Sequence, residues 1–143
     1  MGKYVVVRNA LIQETLAQPY TPGKKELEPF KSFALKHGLP YKIHEHPEEF
    51  QLAEVHMTES DLWICIEGLV EFVVGGKLGE NPWFFEKDCV QNPHEIRSNV
   101  VYDGNMIFLD PGDHLWIPPG TPHMHRGYNK ARSWIYKIPV AGK

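Results

Sequence analysis

From residue 41 onward the apolar residues of this chain recur at every second position, in short runs cut by glycine and proline. No other feature constrains the fold as much. Side chains two apart on a strand share a face, so each run predicts a strand with one buried side. The runs are 50–57, Asp61–Glu67, Leu69–Val74, Asn99–Tyr102, Met106–Asp110, His114–Pro118, Pro122–Arg126 and Arg132–Pro139. Gly68, Gly75-Gly76, Asp103-Gly104, Pro111-Gly112 and Pro119-Gly120 separate them. About eight short strands with turns between them, and no helices, predict a sandwich or barrel that hides its edges by closing or doubling. The stretch 77–98 carries Pro82, Pro93 and the adjacent Phe84 and Phe85. It is expected as a long loop or insertion over a pocket mouth, with Trp83 as a lid residue.

Residues 1–40 follow a different pattern and are expected as an N-terminal extension to a barrel spanning 41–140. Tyr4–Arg8 resembles a strand, and Ala10–Ala17 is compatible with a short helix. A helix is expected within 24–37, where Leu27, Phe30, Ala34 and Leu35 recur at helical spacing. Gly38 follows at the C-cap and Pro40 lies just beyond.

At 143 residues a single domain is expected. The 15 basic and 18 acidic side chains give a net charge of −3, and no basic run exceeds Lys24-Lys25. That balance argues against nucleic acid or an anionic membrane as partner. Leu62–Ile66, among the longest apolar runs, is far short of a membrane span. Met1-Gly2-Lys3 leads into no signal-peptide core, so a cytoplasmic protein is expected. Cys65 and Cys89 are too few and too separated for a disulfide framework or a thiolate metal site. Cys65 is expected inside the barrel as a small hydrophobe. A homodimer is expected, with segment 1–20 adding a strand to a neighbour.

Two clusters can carry chemistry. Glu54 and His56 are two apart on one strand and leave the same face, and a turn at 58–60 is expected to bring Asp61 beside them on the next strand. Three ligating groups facing one interior suit a metal ion, and burying them without a cation is costly. The second cluster runs Gly112-Asp113-His114-Leu115-Trp116-Ile117-Pro118-Pro119-Gly120-Thr121-Pro122-His123. It places an imidazole, the common nitrogen donor for divalent metals, just after a rigid turn.

Together these clusters resemble the two signature motifs of the cupin superfamily. The first family motif is His-x-His, three or four residues, Glu, six residues, Gly. This chain has Glu54, His56, Asp61 and Gly68 in those places. The second motif is matched from Gly112 through Pro118 and Gly120 to His123, with Gly127 where the family's final Asn stands. The resemblance implies a mostly-β jelly-roll barrel, the double-stranded β-helix, holding a divalent metal through His56, Asp61 and His123. Glu54 is then either a fourth ligand or a general base. Two nitrogens and two carboxylates favour Fe, Mn or Zn. The implied function is a metal-dependent enzyme acting on a small polar organic substrate, as dioxygenase or isomerase; the alternative is a non-catalytic sugar- or effector-binding cupin.

His125 shares a face with His123 and is expected either to act on substrate or only to pack. His44-Glu45-His46 is expected on the surface or in a loop, because Pro47 interrupts the strand. His94-Glu95-Ile96-Arg97 is expected as a solvated loop, with a lid reaching into the pocket as the alternative, and His114 on the rim. Trp63, Trp116 and Trp134 are expected in the core.

Overall fold

The computed structural model describes residues 3–21, 23 and 25–140, so the readings made on Met1, Gly2 and Lys24 lie outside the described residues. Two short helices, α1 (Asn9–Leu16) and α2 (Phe30–His37), precede ten strands. These are β1 (Tyr41–Glu45), β2 (Ala53–His56), β3 (Glu59–Val74), β4 (Lys77–Leu78), β5 (Trp83–Lys87), β6 (Val90–Ser98), β7 (Val101–Tyr102), β8 (Asn105–Leu109), β9 (His114–Ile117) and β10 (His123–Pro139).

The expected helix forms as α2 and ends at Gly38. It docks on β1 and β10 through Phe30, whose ring lies 5.4 Å from both Tyr41 and Trp134. Leu35, expected on the buried face, is 76% exposed, because the apolar stripe closes on Leu27, Phe30 and Ala34 alone. Asn9–Leu16 is helical and residues 3–8 are in no strand, so the strand expected at Tyr4–Arg8 does not form within the chain. Neither helix is long and apolar enough to cross a membrane.

The strands form an antiparallel jelly roll, ordered β5-β6-β2-β10-β3-β8, with β1 also on β10 and β9 on β3; β4 and β7 pair separately. Its spine is the pairing of β3 with β10, from His123↔Val74 to Pro139↔Glu59. Each was expected as two strands. Each runs through instead, the register shifting between Tyr128 and Ser133. The bulge bends the pair without ending it. Gly68 lies at that bend with φ 77°, where a Cβ would stand 2.6 Å from Ala131 Cα.

Two further expectations are corrected. First, β2 and β3 are not neighbours, since β10 lies between them in the sheet. Second, 77–98 is not irregular: β5 and β6 form a hairpin whose second strand pairs β2. Pro93 obscured this in the sequence. It falls in the register shift between Phe84↔Ile96 and Phe85↔Asn92, where a ladder N–H is not required. The core gathers Trp63, Cys65, Val70, Phe72, Leu109, Ile117, Ala131 and Ile135 between the β3–β10 spine and β8–β9. Trp116, expected inside, is 52% exposed on β9.

Candidate metal centre

The backbone brings both motifs to one point. His123 and Glu54 are register partners across β10 and β2. The Gly120 N–H of the Pro119-Gly120 turn donates to the His56 carbonyl at 2.9 Å, which ties the second motif to the first. Asp61 arrives from β3, on the other side of β10. His56, Asp61 and His123 are all buried.

His123 Nδ1 lies 3.0 Å from the Thr121 carbonyl. A carbonyl only accepts, so Nδ1 donates there and Nε2 is the nitrogen turned inward. Nε2 faces Asp61 Oδ2 at 3.4 Å, and His56 Nε2 faces the same oxygen at 3.5 Å. Glu54 Oε2 is 3.0 Å from His56 Nε2. Glu54, His56 and His123 each offer a ligand atom within 4.8 Å of the others; Asp61 stands outside that set but touches both imidazoles. Asp61 Oδ2 is buried and has no hydrogen-bond partner.

This donor set fits a divalent ion. The separations of 3.4 and 3.5 Å match those of ligands roughly 2.1 Å from one ion at near-tetrahedral angles. A cation there would sit between a carboxylate oxygen without a hydrogen-bond partner among the described residues and an inward imidazole nitrogen. His56 Nδ1 has Glu95 Oε1 at 3.6 Å, on the side where a ligating imidazole commonly has a carboxylate.

Lys137 was missed by the sequence reading. Its Nζ is 2.8 Å from Asp61 Oδ1 and 3.1 Å from His56 Nε2. The signal was available: Ser133, Ile135 and Lys137 alternate on one face of β10, and Asp61 is the register partner of Lys137. Glu95 and Arg97, expected in a solvated loop, also reach the site from β6, with His94 exposed beside them. Arg97 is held by Glu95, Nη2 to Oε2 at 2.6 Å, and stacks on Phe85.

The electrostatics follow the contacts. Burial opposes ionisation of Glu54, yet the His56 hydrogen bond and the positive charge nearby hold its pKa well below the carboxylate range. Asp61 is likewise opposed by burial but drawn down to about 2 by His123, Lys137 and His56. His56 is raised, despite its burial, by Glu54 and Asp61.

A cavity of about 220 Å³ opens over Glu54, His56, His123 and Lys137, lined further by Lys25, Gln51, Trp63, Arg97, His125 and Ile135, with Asp61 behind its wall. That is below the roughly 300–1,000 Å³ usual for drug-sized ligands, so a small molecule suits it. His125 is buried at its wall, as its alternation with His123 predicts. His44-Glu45-His46 is not on the surface: His46 and Glu45 are fully buried and His44 lines the cavity. Pro47 follows β1 and so did not interrupt it. Cys65 is buried, as expected, and burial raises its thiol pKa to about 11.

No protein-family model matches the sequence, and no curated protein matches it. Solved structures do. YcfD of E. coli is 21% identical over 72% of this chain and 26% of its own, with a TM-score of 0.54. The chain thus spans about a quarter of that protein. Hydroquinone 1,2-dioxygenase from Sphingomonas sp. TTNP3, with 4-hydroxybenzoate bound, is 13% identical over 99% of this chain and 83% of its own, also at 0.54. A cupin protein of Bacteroides fragilis is 12% identical over 88% and 86%, at 0.49. The two likenesses at 0.54 concern the fold alone, the antiparallel jelly roll described above.

Proposed function

We propose that this chain is a metal-dependent small cupin acting on a small, anionic or polar organic molecule. His56, Asp61 and His123 hold the ion, with Glu54 as fourth ligand. The observation that carries this reading is Asp61 Oδ2, buried without a partner between two imidazole nitrogens. A divalent ion bound there supplies Lewis-acid polarisation of a substrate oxygen.

The chain's own groups would then bind and orient. Lys137 is part-exposed on a flexible stem, so its ammonium can leave Asp61 and meet an anionic group in the cavity. Trp63 and Ile135 offer apolar wall to the rest of the molecule. Glu54, held ionised by its surroundings, suits a ligand better than a proton carrier at neutral pH. His125 presents a neutral imidazole to the same space, able to hydrogen-bond a bound molecule.

Elemental analysis of the purified chain beside a His56→Ala/His123→Ala double variant tests the centre. The unaltered chain is expected to carry one equivalent of metal more than the double variant; equal metal in the two overturns the centre. 4-Hydroxybenzoate, the ligand of the Sphingomonas dioxygenase, joins a carboxylate to a flat ring and is a fitting first probe of the cavity.

A second reading rests on Lys137. Its ammonium already meets Asp61 and His56, as a built-in cation of a metal-free binding barrel would. Protein that carries no metal, and takes none up after dialysis against Fe, Mn and Zn salts, would favour that reading. The proposal also extends to a homodimer, for which size measurement with and without residues 1–10 is the test.

A further inference from the structure

We propose that His44, His46 and His125 form a second divalent-metal site, made of imidazoles alone and opening on the same cavity. It uses none of the residues of the first centre, so either can fail without the other.

The fold builds the cluster from two strands. His44 lies on β1 and His46 one residue past its end, where its N–H still bonds Ala131 of β10, and His125 comes from the first half of β10. Each ring offers one nitrogen, all within 4.8 Å of one another. His46 Nδ1 and His125 Nδ1 are 3.1 Å apart, close to the separation of two adjacent ligands roughly 2.05 Å from one ion. His44 Nε2 is buried and has no hydrogen-bond partner. A plain packing role leaves that nitrogen unsatisfied, whereas an ion uses it.

The surroundings hold the cluster as metal sites are held. His46 Nε2 lies 2.8 Å from Oγ of the fully buried Ser133, and that contact orients the ring and leaves Nδ1 for a ligand. The His46 backbone is fixed twice, its carbonyl accepting from the Tyr20 hydroxyl at 2.8 Å and its N–H donating to Ala131 at 2.9 Å. Gly127 makes room for it, since a Cβ there would stand 2.6 Å from His46 Cβ.

The donor chemistry selects the ion. Three neutral nitrogens without a carboxylate suit a borderline ion such as Zn²⁺, whereas the first centre mixes nitrogen with oxygen. His44 and His125 line the cavity, so a fourth position faces bound molecules there. In the loaded protein His125 would act on the cavity through the ion rather than as a free acid or base.

The test titrates the chelator-stripped full chain with Zn²⁺ by equilibrium dialysis and with Co²⁺ by visible absorption. Variants are His44→Phe, His46→Gln, Ser133→Ala and His56→Ala/His123→Ala, each checked for folding by circular dichroism. The proposal expects one equivalent to survive in His56→Ala/His123→Ala with intense tetrahedral Co²⁺ bands. It expects that equivalent to vanish on adding His44→Phe or His46→Gln, and Ser133→Ala to weaken it roughly 10–100-fold. His44→Phe keeps the test open should His46→Gln not fold. No metal in His56→Ala/His123→Ala, or metal there unaffected by His44→Phe, overturns the second site. If the double variant holds no metal while the unaltered chain holds one equivalent, the first centre still stands.

Discussion

Asp61 Oδ2 and His123 Nε2 face each other at 3.4 Å in the interior. The Thr121 carbonyl accepts from Nδ1 on the other side of the ring, so an Nε2 without a proton would face Oδ2 as a second acceptor. Two acceptors held this way repel unless something positive stands between them or the ring gains a proton. Asp61→Asn replaces one acceptor with an amide whose N–H can donate to the imidazole. The fold is expected to survive while divalent-metal affinity at the first centre falls at least tenfold, read by dialysis alongside circular dichroism.

Lys137 competes with an ion for Asp61 and His56. Removing the ammonium with Lys137→Met should raise metal affinity at the first centre about tenfold, or about 1.4 kcal/mol. The same change leaves Asp61 short of a partner in the stripped protein, so the apo form should lose about 1–3 kcal/mol in urea unfolding. A variant with unchanged affinity would show that the ammonium does not occupy the ion's place.

Arg132 joins Glu45 through Nε and Nη2 at 3.2 and 2.9 Å, with both side chains buried. Its Nη1 and Nη2 also donate to the Leu16 and Gln18 carbonyls, each at 2.6 Å, and so fasten the chain after α1 to the barrel. Arg132→Met strands a buried carboxylate and should cost about 3–5 kcal/mol in chemical denaturation. Because the lost bonds lie at 16–18, cleavage by a protease should appear first near those residues.

Glu71 is buried and accepts from Tyr128 at 2.6 Å and Arg126 at 2.9 Å. Burial works to raise its pKa, but these two donors hold it below the usual 4.5. The unfolded chain therefore binds this proton more readily than the folded one. The stability it contributes is complete above the unfolded pKa and is lost as pH falls through the lower folded value. In Glu71→Gln the loss of stability on acidification should be shallower than in the unaltered chain, measured by urea unfolding across that acid range. An identical acid limb would remove Glu71 from the account.

The motif ligands were legible because strand alternation is local: Glu54 and His56 share a face whatever lies beside them. The same logic applied to Ser133, Ile135 and Lys137 would have found Lys137. It was missed because the run Arg132–Pro139 carries no sign of its neighbour, and the pairing of Lys137 with Asp61 is a tertiary register. Glu95 and Arg97 were lost for a related reason, since Pro93 looks like a strand breaker until the register shift that accommodates it is known.

What the chain determined by itself is the kind of fold and the side each residue faces, because turn chemistry and period-two patterning act within a few residues. Which strands lie together was settled only by tertiary structure. The interposition of β10 between β2 and β3, and the burial of His44 and His46 against His125, depend on pairing across long stretches of sequence. Such pairings are chosen by the burial of the whole sheet, to which no short segment holds the key.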